Sequence, residues 1–489
     1  MRTCEPILGR LRKAVPRLLV VDAFDDKIVA ALGTCVARRD CGTSRQGPST
    51  DARLIQNGKP SLLLPDRPLP GLAAVLVDVI FETIERIREQ DDTVLLLEQH
   101  ALVAFEIADY LYVPEFGKLN MLGDAPKLLD ESFVTAANLE GHLVKAIVYD
   151  VVGAPALVRE VAEPDCPEDG AVITVRATGV CRSDWHAWRG HEVVPLPHIP
   201  GHEFAGVIAA VGARVRGFAP GDRVTAPFVN GCGRCVWCRA GDAQICPDQT
   251  QPGFSHPGSF AERVVVRVAD VNLVRLPDEL DFVSAAALGC RFATAFRALT
   301  AYRRVEPEDW VVVFGCGGVG LSAIMIARAL GARVIGVDLS AAARARAAEL
   351  GAVAIDVAET PTAIAELTGA GAHLTVDAVG SAATALAAVS GLRRGGQHVQ
   401  VGLMLDADAL APLPWELLVA RELRVAGSHG MSAADYPAML AMITDGRLDL
   451  GELIAEHIPL EKAGAAMMAM DNPVATRAGI TVAVSDTGG

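Results

Sequence analysis

The spacing of apolar positions changes several times along the chain, and each change marks an element. Val77, Ile80, Phe81, Ile84 and Ile87 recur at three and four residues, with Glu82, Glu85, Arg86 and Arg88 between them. That spacing predicts a helix with one apolar face, and the apolar run 93–97 predicts a buried strand after it. Near Gly141 the pattern shifts. HLVKAIVYDVVGAPALVREVAEP alternates apolar and polar residues, as an opening pair of strands would. Further on, WVVVF at Trp310–Phe314 is a solid apolar run, a helical period continues through Leu330, and 334–337 is apolar again. Runs 374–379 and 398–403 alternate with Ala-rich helical stretches, which predicts a doubly wound α/β sheet. The polar, Gly- and Ser-rich stretch 42–49 reads as loop, and disorder is expected within residues 1–50.

At 489 residues the chain has room for about three domains at roughly 150 residues each. The net charge of −15 argues against nucleic acid or an anionic membrane as a partner. The apolar run 18–21 is too short for a signal-peptide core. The stretch 311–337 is interrupted by Gly315, Gly317, Gly318, Gly320, Arg328, Gly331 and Arg333, so no membrane span is expected and a cytoplasmic location is.

Eleven cysteines in such a chain favour metal over disulfides. Cys232, Cys235, Cys238 and Cys246 sit in NGCGRCVWCRAGDAQIC with spacing C-x2-C-x2-C-x7-C. Four thiolates close a tetrahedron around zinc and leave no open position, so this site is expected to brace a loop. Cys4, Cys35, Cys41, Cys166 and Cys316 receive no role.

GCGGVG follows the strand at Trp310–Phe314 and opens a helix, the context a dinucleotide-binding turn requires. Gly315 would allow the tight turn. Gly317 would let a pyrophosphate approach the backbone, with Gly318 and Val319 beside it, and Gly320 would let the helix pack close. Asp338, 23 residues after Gly315, is placed for the ribose hydroxyls, which favours NAD over NADP.

Cys181 in GVCRSDWH, His202 in PGHE and Cys290 in LGCRFATAF are too scattered for spacing alone to announce a metal. Together with IPGHEFAGVIAAVG, GDRV, the four-cysteine segment, GCGGVG and VDAVG, however, they make the chain from about Val144 onward resemble the zinc-dependent medium-chain alcohol dehydrogenases. The resemblance implies a GroES-like β-rich catalytic domain at 144–290 and 428–489, around a Rossmann NAD-binding domain at 291–427. It implies two Zn²⁺ per chain: a catalytic ion on Cys181, His202 and Cys290, and a structural ion on the four clustered cysteines. It implies that Asp184 orients the ligating imidazole, that Glu203 approaches the metal during ligand exchange, and that Arg182 serves the pyrophosphate. Ser183 and His186 would carry the proton outward. The implied reaction is reversible oxidation of a primary or secondary alcohol to an aldehyde or ketone with hydride transfer to NAD, in a homo-oligomer (dimer or tetramer). Trp185 and Phe292 would wall a pocket for an apolar alcohol. Cys290 argues against the polyol branch, where the resemblance would put Glu. A zinc-free quinone or enoyl reductase is the alternative, against which Cys181, His202 and Cys290 all weigh.

The segment PSLLLPDRPLPGLAAVLVDVIFETIERIREQDDTVLLLEQHALVAFEIADYLYV resembles the C-terminal part of the ATP-binding subunits of branched-chain amino acid ABC transporters, over about 52–141. The chain has no G-x-x-x-x-G-K-[ST] loop, and the family's Asp-Glu pair is matched by Asp66 and Arg67, a cation that cannot act as a base. Residues 1–143 are therefore expected to be a degenerate, partial P-loop-NTPase-like α/β fragment. A transport-linked ATP-binding role is the remote alternative.

Overall fold

The computed structural model describes residues 143–472 and 478–485, together with four strands nearer the start of the chain. Two compact units divide it, Met1–Gly141 and His142–Gly489. In the first, the strands lie in the order Val94–Leu97, Leu18–Val21, Tyr110–Glu115, Lys118–Asp124. The first three are parallel, and Lys118–Asp124 returns antiparallel. Val94–Leu97 falls within the expected strand 93–97. The helix expected around Val77 and Ile87, the loop at 42–49, and Asp66 and Arg67 lie outside the described residues.

The second unit opens with the antiparallel pair Leu143–Val148 and Leu157–Ala162, where the alternation predicted strands. A seven-stranded sheet follows, organised around Ala171–Val180. That strand pairs antiparallel with Glu203–Val211, Arg263–Val266 and Ile480–Val484. It is buried along nearly its whole length, although Thr174, Arg176 and Thr178 alternate with its apolar residues. The pairing also prepares a site. Ala171–Val180 ends immediately before Cys181, and Glu203–Val211 begins immediately after His202, with Gly179 opposite Glu203. Neighbouring antiparallel strands thus bring Cys181 and His202 to one sheet end.

The other layer is a six-stranded parallel sheet with helices between its strands. Its order is Val353–Asp356, Arg333–Asp338, Trp310–Phe314, Ala372–Asp377, Leu392–Gln400, Arg424–Gly427. In chain order this is the 3-2-1-4-5-6 arrangement of a dinucleotide-binding fold, with the switch point beside Trp310–Phe314. Two strands end earlier than their apolar runs suggest. Asp377 Oδ1 accepts the N–H groups of Val379 and Gly380 at 2.8 and 3.1 Å. The N–H groups of Val401 and Gly402 turn to the Asp377 carbonyl at 3.0 and 2.8 Å. One residue therefore draws both chains out of the ladder, at 377 and at 400.

Ile173, on strand Ala171–Val180, lies wholly buried in a cluster with Phe204, Ile208 and Val264. Ile173→Ala should lower stability by about 2–5 kcal/mol, read as a fall in the urea midpoint of the zinc-loaded protein with its slope unchanged.

Candidate active site

Helix Arg182–Trp188 starts directly after Cys181, and its third residue, Asp184, is fully buried. Asp184 Oδ2 accepts the Cys181 N–H at 3.1 Å, answering a donor that the first helical turn leaves free. Oδ1 accepts the Gly201 N–H and the His202 Nδ1–H, both at 2.9 Å. With Nδ1 donating, His202 presents a lone pair at Nε2, and Nε2 is buried with no hydrogen-bond partner among the described residues.

The ligand atoms of Cys181, His202 and Cys290 lie within 4.8 Å of one another, and all three residues are buried. Cys290 enters from Leu288–Phe292, a π-helical turn of the kind found at functional sites. That turn lies close against His202 and Glu203, since a Cβ on Gly289 would stand 3.1 Å from the Glu203 Cα. The Cys181 thiol is held well below its ordinary pKa, first by the hydrogen bond from Cys290 and, against burial, by the Arg291 charge and His202. Cys290, the donor in that pair, is pushed up. Burial works against a charged His202, but the Asp184 carboxylate and Cys181 outweigh it and raise its pKa. A field that favours a proton at Nε2 also favours a metal cation there. Phe228 and Phe254 wall the cluster, with ring centroids 6.1 and 5.0 Å from His202.

The other expected residues lie around this centre. Ser183 Oγ is 3.8 Å from the Cys181 sulfur. His186, one turn on, shares an Nδ1–Nδ1 hydrogen bond with His191 at 2.9 Å. The Arg182 guanidinium stacks over Trp185 at 5.1 Å. Glu203 does not face the three ligand atoms alone. Its carboxylate accepts the Arg291 backbone N–H at 2.8 Å and Nε–H at 2.9 Å, and Nη2 joins them.

Cys232, Cys235, Cys238 and Cys246 converge in the same way, with sulfurs within 4.8 Å of one another and no disulfide. The lobe is held by Asn272, which accepts from the Gly231 N–H at 2.8 Å and donates to its carbonyl at 2.9 Å. Backbone N–H groups of Arg234 and Cys235 bring the Cys232 thiol down to about 6 against burial, with the Arg234 amide contributing most.

At the switch point Gly315 takes φ +86° and starts the tight turn. A Cβ on Gly320 would stand 1.7 Å from the Gly315 carbonyl oxygen, so helix Gly318–Ala329 packs on its strand only with glycine there. At Gly317 a Cβ would meet nothing within 4 Å, which leaves the helix N-terminus open for a phosphate. Val319 is half-buried beside it. Asp338 accepts the N–H groups of Cys316 and Ser340, both at 2.7 Å, and so ties the turn to the end of the second strand.

Two family models match: the alcohol dehydrogenase GroES-like domain over residues 167–278 and the zinc-binding dehydrogenase over 318–445. An alcohol dehydrogenase of Geobacillus stearothermophilus is 34% identical over 327 residues, 65% of this chain and 93% of that protein. The chain belongs to the zinc-binding alcohol dehydrogenase family. Alcohol dehydrogenase 2 of Caenorhabditis elegans is 31% identical, over 65% of this chain and 88% of its own. Among solved structures, alcohol dehydrogenase TADH from Thermus sp. ATN1 superposes with a TM-score of 0.64 at 30% identity, covering 70% of this dehydrogenase and 99% of that chain.

The donor set of this dehydrogenase fits zinc: two sulfurs and a free imidazole nitrogen, with one corner left for substrate. Sequence reasoning missed Arg291. Its signal was a cation directly after Cys290 in an otherwise apolar helical run. Arg291 is nearly buried, pairs with the fully buried Glu203, and lies against the nucleotide turn, where a Cβ on Gly318 would stand 2.5 Å from its Cδ. One expectation for the pocket walls changes. Phe292 is completely buried in the core. Trp185 donates from its indole N–H to Asp471 at 2.7 Å and packs against a separate apolar cluster.

Purified protein should carry two zinc ions per chain by atomic absorption, and Cys181→Ser or His202→Ala should each reduce this to about one. Arg291→Met strands the Glu203 carboxylate without its charge partner, which should cost about 3–5 kcal/mol near neutral pH. Burial already raises the Glu203 pKa in the presence of Arg291. Without that arginine the folded pKa rises further, so the deficit is full at neutral pH and shrinks as falling pH protonates the carboxyl. Urea titrations of the variant across that range check both sign and size.

Proposed function

We propose that this dehydrogenase interconverts a primary or secondary alcohol and its aldehyde or ketone, with NAD as the hydride acceptor, at Cys181, His202 and Cys290. The observation that carries this reading is the unpartnered Nε2 of His202, buried beside two cysteine sulfurs. When bound, zinc supplies the Lewis acidity that makes an alcohol O–H acidic near neutral pH, and NAD takes up the hydride.

The chain's own residues do the rest. Asp184 fixes the His202 ring and tautomer. Phe228 and Phe254 keep water from the donors. Ser183, beside Cys181, receives the alcohol proton and His186 passes it outward. Burial, then the neighbouring His191 and Arg182, lower the His186 pKa, so the ring is neutral and able to accept a proton at neutral pH. Gly317 and Gly318 receive the pyrophosphate, with Arg182 beside it. Asp338 meets the ribose hydroxyls, where a 2′-phosphate would face a like charge. Glu203 is held by Arg291 and moves toward the metal only when that pair loosens.

The four-cysteine lobe holds the second zinc, as a brace. The protein acts in the cytoplasm as a dimer or tetramer; no described helix is long and apolar enough to cross a membrane. For residues 1–143 we keep the reading of a truncated transport-ATPase relic, supported by the resemblance over 52–141, with the missing phosphate loop and Arg67 marking it as degenerate.

A panel of alcohols with NAD, followed by NADH absorbance, tests the reading. Turnover should require zinc and prefer NAD to NADP, Asp338→Ala should narrow that preference by about tenfold, and His202→Ala should abolish turnover while NAD binding persists. Turnover retained in His202→Ala would reject the assignment.

A further inference from the structure

Asp338 is not the only charge at the end of its strand. It closes Arg333–Asp338, and Asp356, which closes the neighbouring Val353–Asp356, stands opposite it in the parallel ladder. Arg344, on helix Ala341–Glu349, reaches back to both strand ends. Its Nη1 donates to the Asp338 carbonyl at 2.8 Å and the Leu339 carbonyl at 2.9 Å, and pairs with Asp356 Oδ2 at 2.7 Å. The guanidinium therefore sits at the strand end that the ribose hydroxyls are expected to meet.

All three contacts fall on Nη1. Nε and Nη2 have no hydrogen-bond partner among the described residues, and the side chain remains 24% exposed. Those two nitrogens form the fork that grips a phosphate through parallel N–H bonds. The charges around it nevertheless oppose a phosphate, since two carboxylates, Asp338 and Asp356, outnumber one guanidinium. Both signs reach the glycine turn. Burial first, and then the Asp338 charge, push the Cys316 thiol up to about 12, while Arg344 acts in the opposite direction. A dianionic phosphate placed here would meet a cation already answered and a carboxylate that repels it.

We propose that Asp356 is a second residue selecting the cofactor: by neutralising Arg344 it withholds a cation that would otherwise bind the 2′-phosphate of NADP. The inference rests on the reading of Asp338 given above. Refusal of NADP is then divided between two carboxylates with different tasks. Asp338 repels the phosphate directly, and Asp356 silences the guanidinium beside it. Asp356 acts through Arg344, so it is a positioning residue. Its other oxygen, Oδ1, accepts the Ala358 N–H at 3.1 Å and caps the turn that follows. Asp356→Asn can keep that cap and the size of the side chain while giving up the charge.

The test measures, by calorimetry on the zinc-loaded protein, the binding of 2′,5′-ADP, which carries the 2′-phosphate, and of 5′-AMP, which lacks it. The ratio of kcat/KM for NADP to that for NAD is taken alongside, with melting temperatures to establish folding. Asp356→Asn should raise affinity for 2′,5′-ADP relative to 5′-AMP by about tenfold and move the kcat/KM ratio the same way. Adding Arg344→Gln should cancel the gain, because the cation that Asp356 had masked is then absent. Asp338→Ala, tested separately, should also favour 2′,5′-ADP. A folded Asp356→Asn variant with an unchanged ratio would reduce Asp356 to a cap and overturn the inference, and a gain that survives Arg344→Gln would overturn it equally. In both cases an effect of Asp338→Ala would leave the reading of Asp338 standing. Absence of any effect of Asp338→Ala on 2′,5′-ADP would remove that reading and this inference with it.

Discussion

Burying a carboxylate is costly unless donors meet it, and Asp184 takes three hydrogen bonds from two stretches of the chain. It takes the N–H that opens its own helix, the N–H of Gly201 and the ring N–H of His202. The first contact fixes where Cys181 points, the second closes the turn ahead of the Glu203 strand, and the third aims the imidazole. Removing this one side chain would leave three buried donors unanswered and two metal-directed groups without orientation. The arrangement of strands brings Cys181 and His202 near each other; Asp184 sets the angle between them.

A second buried carboxylate ties that centre to the cofactor turn. Glu203 follows His202 directly, Arg291 follows Cys290 directly, and the two side chains pair in the interior. Because Arg291 also lies against Gly318, the ion pair runs from the metal donors to the glycine turn. The π-helical turn Leu288–Phe292 makes this feasible, since it presents Cys290 and Arg291 to neighbouring partners while Phe292 turns into the core.

Much of this was legible in the sequence where chemistry is local. The glycine turn, the strand before it, Asp338 and the four cysteines each lie within short windows, and the structure brings each set together. The scattered residues Cys181, His202 and Cys290 were readable only through family resemblance. The Glu203–Arg291 pair joins positions 88 apart, and no periodicity relates them. Strand ends were misjudged where Asp377 recruits backbone amides, an effect that hydropathy does not register. Phe292 looked like a pocket wall because aromatic residues near a reactive cysteine invite that reading, yet the helix turns it inward.

The central strand Ala171–Val180 completes its pairing with Ile480–Val484, near the opposite end of the described chain. The parallel sheet between Trp310 and Gly427 draws on no strand outside that span. During synthesis the nucleotide-binding layer can therefore assemble while the catalytic sheet still lacks an inner strand, and that sheet closes only once Ile480–Val484 has been made. The cysteine lobe at 232–246 is translated long before that closure. Capture of an ion there would organise the waiting half early, and such an ion would then have a part in the order of events as well as in the finished fold.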